Sequence, residues 1–164
     1  MAEIETTSLE PVRFVDGRPM LFAGLRRHHT YSGAAESIPA QWQAFRALDS
    51  IPHRRGSVAY GAMCGADPAN QTFEYMCAVE VAEFDDAAPH LGRMRVPAQH
   101  YAVFEHPGHV STIWKTWDAV WHHWLPRSGY VPVNGPEFEV YDERFDVRTG
   151  TGGVEIWVSV QPRD

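Results

Sequence analysis

The sequence predicts an α+β fold made of one strand–helix–strand–strand unit used twice, and three observations carry that prediction. Segments such as Val154-Glu155-Ile156-Trp157-Val158-Ser159-Val160 place apolar residues at every second position, the period of a β-strand. Two other segments space them by three and four, the period of an amphipathic helix. The order of these elements then recurs with matching residues at constant spacing. Ile38, Trp42 and Ala44 match Ile113, Trp117 and Ala119 (113 − 38 = 75), while Tyr60 and Glu74 match Tyr141 and Glu155 (141 − 60 = 155 − 74 = 81).

Taken in order, the acidic stretch Met1 to Glu10 lacks the basic and apolar parts of a signal peptide, and residues 1–19 are expected to form a tail and entry. Met20 to Tyr31 is an expected strand, apolar at its start and basic at its end. Ser37 is the expected helix cap, with Pro39 in the first turn and Ile38, Trp42 and Phe45 as the apolar stripe, before Ile51-Pro52 ends the helix. Ser57 to Cys64 and Thr72 to Ala82 are expected strands around the turn formers Gly65 to Asn70. The pattern restarts with a strand at Pro97 to His106, a helix from Ser111 to about Leu125, and strands at Glu137 to Tyr141 and Val154 to Val160. The two repeats, about 20–85 and 93–162, belong to a single domain over 20–162, and two such units would each help to cover the other's open sheet face.

With 164 residues the chain has room for one domain with a real core. Its formal charge of −7 and scattered basic residues exclude the electrostatic footprint of a nucleic-acid binder, and no apolar run is long enough to span a bilayer. Cys64 and Cys77, without metal or redox spacing, are expected to be buried free thiols of a cytoplasmic protein.

The nine histidines show no metal-ligand spacing, so no metal and no cofactor is expected. No glycine-rich loop opens a helix, and no nucleophile elbow is present. Trp114, Trp117, Trp121 and Trp124 fall at helical spacing and would form one stripe on the core face, with any gap between their rings fit for a flat organic ligand. Glu155, two places from Trp157 and repeated as Glu74, is either a solvated charge or a buried carboxylate. Burial would raise its pKa, and a cationic ligand stacked on nearby rings would restore the charged form.

The segments Thr72 to Val81, Pro97 to Gly108, Trp121 to Pro126 and Glu155 to Val160 resemble, in kind and order, the GyrI-like small-molecule-binding domain, which also forms the effector-binding half of AraC-type and MerR-type multidrug-responsive activators. The resemblance covers about Met20 to Pro162. It implies a pseudo-symmetric pair of βαββ units in a curved antiparallel sheet with two long helices. It further implies an aromatic cleft between the halves, with a last-strand glutamate at its floor. The matching position is Glu155, with Trp157 beside it. Tyr60, Tyr141, Trp117, Trp121, Trp42 and Glu74 complete the expected ligand-binding set.

Three uses stay open. The first is binding of aromatic, lipophilic, cationic small molecules, for sensing or sequestration of drugs and toxins. The second, implied by stand-alone members of the family, is hydrolysis of strained electrophiles such as cyclopropane-containing alkylators, with Glu155 as base and Tyr60 or Tyr141 as hydrogen-bond donor. The third is a module that binds a protein partner or a second copy without a ligand. No helix-turn-helix precedes Met20, so direct DNA binding by this chain is not expected.

Overall fold

The computed structural model describes residues 9–164. In chain order they form β1 (Arg13–Gly17), β2 (Met20–Thr30), α1 (Ala34–Arg46), β3 (Arg54–Asp67), β4 (Thr72–Val81), β5 (Gly92–Val96), β6 (Gln99–Glu105), α2 (Ile113–Ala119), β7 (Tyr130–Pro132), β8 (Glu137–Tyr141) and β9 (Glu155–Pro162). These elements fall into two compact units, Pro19–Pro97 and Ala98–Asp164, the second completed by the segment that ends at Arg18.

In the N-terminal unit, antiparallel strands run in the order β5-β2-β4-β3. Ala23, Val79 and Val81 carry the core on one face, where Phe45 of α1 packs with Ile51. In the C-terminal unit the order is β1-β6-β9-β8, with β7 paired to the far end of β9. Within each unit the first strand of the repeat lies beside the last, and the middle strand lies on the last strand's other side.

The strand registers make the duplication quantitative. His28 faces Glu74 in one unit and Glu105 faces Glu155 in the other, so the first strands correspond at 77 residues (105 − 28) and the last at 81 (155 − 74). Met63 faces Tyr75, and Glu139 faces Ile156, so the middle strands correspond at 76 (139 − 63). The match of Tyr60 to Tyr141 at 81 is therefore a coincidence of residue type, because loop lengths differ on the two sides of the middle strand.

Three local expectations are corrected. The first helix begins at Gly33 rather than at Ser37, with Pro39 inside α1. Ser37 is diverted from capping because its hydroxyl lies 2.6 Å from His29 Nδ1. The second helix is capped by His109, whose Nδ1 accepts from the Ser111 amide, and it is not one regular α-helix. A 3-10 turn (Val110–Thr112) leads into α2, which continues as a π-helical turn (Val120–Trp124) and a last 3-10 turn (Leu125–Arg127). The tryptophans do not share one buried stripe: Trp117 and Trp124 are buried and Trp121 is half-buried, whereas Trp114 is 62% exposed. The entry segment is also more ordered than a tail. Residues 1–8 of it lie outside the described residues, but β1 pairs with β6 from Arg13↔Val103 to Gly17↔Gln99, and Glu10 accepts a hydrogen bond from Arg127.

Candidate functional site

Strand alternation gives the C-terminal sheet two chemically different faces. Phe104, His106, Glu139 and Ile156 face α2, as shown by Phe104 meeting the Trp124 ring edge-on at 5.0 Å and by His106 Nδ1 lying 2.7 Å from Thr116 Oγ1. On β8, Glu137, Glu139 and Tyr141 are two apart and share that face. Glu139 is buried, at 3% exposure. One of its oxygens accepts from Trp117 Nε1 at 2.9 Å and the other from the Tyr141 hydroxyl at 2.7 Å. These two donors are uncharged aromatic groups, an indole and a phenol.

Glu137 is half-buried on the same face. It makes no hydrogen bond or ion pair among the described residues, and burial alone pushes its pKa up to about 8. A carboxyl that holds its proton at neutral pH thus stands two residues from one bound by two aromatic donors.

The opposite face carries Glu155, Trp157, Phe138 and Tyr101. Phe138 stacks on Trp157 at 5.6 Å, and Tyr101 tilts against it at 5.3 Å. Glu155 is 5% exposed and is met by both guanidinium nitrogens of Arg13, at 2.7 and 2.8 Å. Trp157 Nε1 donates to it at 3.1 Å, and Arg144 stands 3.4 Å away. Burial pulls the Glu155 pKa upward, but the Arg13 and Trp157 hydrogen bonds and the two guanidinium charges outweigh it, so the carboxyl titrates below its ordinary range. The expected upward shift is thereby reversed, and Glu155 is a weak base. Tyr141, considered with Glu155 as a catalytic pair, donates instead to Glu139 on the other face.

The N-terminal unit sorts its residues in the same way. Trp42 of α1 donates to the Tyr75 hydroxyl at 3.2 Å on the helix face. Glu74 and Tyr60 lie on the opposite face, where Glu74 pairs with Arg26 and His28, and Tyr60 stacks on Phe22 at 4.4 Å. Of the residues singled out in sequence, Trp117 and Tyr141 are brought together, Glu155 and Trp157 are brought together, and Trp121 is half-buried on the π turn. Glu139, Glu137 and Arg13 were missed. The alternation Glu137-Phe138-Glu139-Val140-Tyr141 carried a signal for two of them, namely two carboxylates and a phenol on one strand face.

Two histidines are accounted for structurally. His29 Nε2 lies 2.6 Å from Gln41 Oε1, and His106 Nε2 lies 2.8 Å from the His109 carbonyl. Each buried imidazole ties the first strand of its unit to the helix that follows. Among the described residues no group of three or more His, Cys, Asp and Glu is placed to hold a metal, and no helix is long and apolar enough to cross a membrane.

A duplicated α+β domain with a helix on one sheet face and carboxylates set among aromatic rings defines a class of small-molecule-binding proteins. The chain belongs to the GyrI-like small-molecule-binding domain family, whose model matches residues 10–161. It is 35% identical over 119 residues to the transcriptional regulator BrlR of Pseudomonas aeruginosa. That match takes in 70% of this chain but only 43% of BrlR, so the chain corresponds to less than half of the regulator. Its fold is similar to that of SAV2435 bound to tetraphenylphosphonium (TM-score 0.71, 18% identity, 91% of this chain and 93% of that one). It is also similar to EcmrR in a DNA complex (TM-score 0.66, 13% identity, 96% of this chain and 60% of that one).

Proposed function

We propose that the chain binds aromatic, lipophilic cations on the helix-bearing face of its C-terminal unit, with Glu139 as the countercharge and Trp117 and Tyr141 as stacking surfaces. One observation carries the proposal. Glu139 is a buried carboxylate that accepts hydrogen bonds from an indole and a phenol, which joins on one strand face the negative charge and the aromatic rings that a lipophilic aromatic cation seeks. The similarity to a protein bound to tetraphenylphosphonium supports the ligand class. Sensing or sequestration of such compounds in the cytoplasm is the proposed use.

The test is titration of the protein with tetraphenylphosphonium, followed by tryptophan fluorescence and calorimetry. Glu139→Gln is expected to weaken binding about tenfold, roughly 1.4 kcal/mol. Glu74→Gln, on the opposite face of the other unit, should leave it unchanged. Equal affinity for wild type and Glu139→Gln would remove Glu139 from the proposal.

A further inference from the structure

A buried carboxylate beside an indole in the C-terminal unit is already occupied by a cation of the chain itself. Glu155 offers a buried carboxylate with both oxygens accepting hydrogen bonds from one guanidinium, and the same guanidinium lies 5.9 Å from the Trp157 ring centroid. Carboxylate and indole are the two groups a planar organic cation seeks, and a guanidinium engages a carboxylate through two parallel hydrogen bonds. The occupant comes from Arg13 on β1, an edge strand of five residues held to this unit through β6. The Arg13 side chain is 46% exposed and the Glu155 side chain 6%, so the occupant can be reached from solvent while the carboxylate cannot. In the N-terminal unit the equivalent Glu74 takes its arginine from a long neighbouring strand, β2, and the edge strand β5 sends no side chain to it.

We propose that Arg13 is an internal ligand: it fills the cation site of Glu155 and Trp157, so that an outside guanidinium gains Glu155 only by lifting Arg13, and β1 with it, from the sheet. Occupancy of this face is then read out at the N-terminal edge of the unit, by a route separate from the Glu139 face. Arg144 stays at 3.4 Å as a second cation, which keeps Glu155 compensated during the exchange.

The probe is ethylguanidinium, with hydrogen exchange of the β1 amides and thermal unfolding as readouts. In wild type, rising ethylguanidinium is expected to speed exchange in β1 about fivefold or more while the other edge strand, β5, is unmoved. Glu155→Gln should raise β1 exchange without any probe and abolish the response. In Arg13→Ala the probe should raise Tm in a saturable way at concentrations that leave wild-type Tm unchanged. Equal acceleration at β1 and β5, or unchanged β1 exchange in Glu155→Gln, would overturn the proposal. If Arg13→Ala does not fold, the exchange measurements decide alone. The Glu139→Gln variant retains the β1 response, so failure here and failure of tetraphenylphosphonium binding are separable.

Discussion

The two units share a strand order and a helix placement, yet they spend their polar groups differently. Each carries a glutamate at the start of its last repeat strand. Glu74 has 26% of its side chain exposed and is paired with Arg26 and His28 at the surface, whereas Glu155 has 6% exposed and is clamped by Arg13. Where the N-terminal unit has Met63 facing α1, the C-terminal unit has Glu139. Where the first strand of the N-terminal unit has Gly24, that of the C-terminal unit has the buried ring of Tyr101. The C-terminal unit buries two carboxylates, Glu139 and Glu155, and the larger share of the big rings, whereas the N-terminal unit buries one carboxylate, Glu80, with Phe22 and Tyr75.

The comparison can be broken most severely at Gly24. A Cβ there would stand 1.9 Å from the Cys77 carbonyl oxygen and 2.8 Å from the Ala78 Cα, both backbone atoms that cannot step aside. Gly24→Ala is expected to cost about 3 kcal/mol in urea unfolding by forcing the β2–β4 ladder apart. A loss below about 1 kcal/mol would mean that the β2–β4 ladder yields readily at Gly24.

The two glutamates give the next largest contrast. Arg13→Ala strips a buried carboxylate of its bidentate partner and is expected to cost about 1–3 kcal/mol, moderated by Arg144. Arg26→Ala removes an exposed partner of Glu74 and should cost at most about 0.5 kcal/mol. Equal losses, measured by chemical unfolding at pH 7, would erase the distinction.

The smallest effect is a pH slope. Burial lowers the His106 pKa from 6.5, against a modest upward pull from its hydrogen bond to the His109 carbonyl. The unfolded chain therefore takes up a proton that the folded chain refuses. Stability contributed by the neutral imidazole is present above pH 6.5 and is lost as the pH falls below it. His106→Asn should flatten Tm against pH between about 6.5 and 5, although it also lowers Tm at every pH. An unchanged slope would show that another group sets the acid response.

The repeat was legible in sequence because strands β2, β4, β6 and β9 bury alternating or continuous apolar runs between turn formers, and α1 carries its stripe with one break. The two edge strands were not. Arg13-Phe14-Val15-Asp16-Gly17 and Gly92-Arg93-Met94-Arg95-Val96 are short and half-polar, and only pairing with the first strand of each unit makes them strands. Trp117 and Tyr141 could be singled out as large rings, but their common partner Glu139 looked like one more strand carboxylate. Burial of Glu155 was foreseen as one of two cases, whereas Arg13 was invisible: its partner lies 142 residues away and reaches it through a strand not expected to exist. The tryptophan stripe misled because helical spacing does not say how far round the helix the core reaches: Trp114 and Trp117 lie on the same regular stretch of α2, yet only Trp117 is buried.

One consequence of the strand order concerns how the chain assembles. β1 is made before the whole of Pro19–Pro97, yet its pairing partner β6 comes after that unit, with Arg13 opposite Val103. The N-terminal unit has all its strands in one continuous stretch and can close as soon as that stretch is made. The C-terminal unit must wait, and its edge strand carries the entropic cost of a loop that spans an entire folded neighbour. Synthesis order therefore makes docking of β1 a late event.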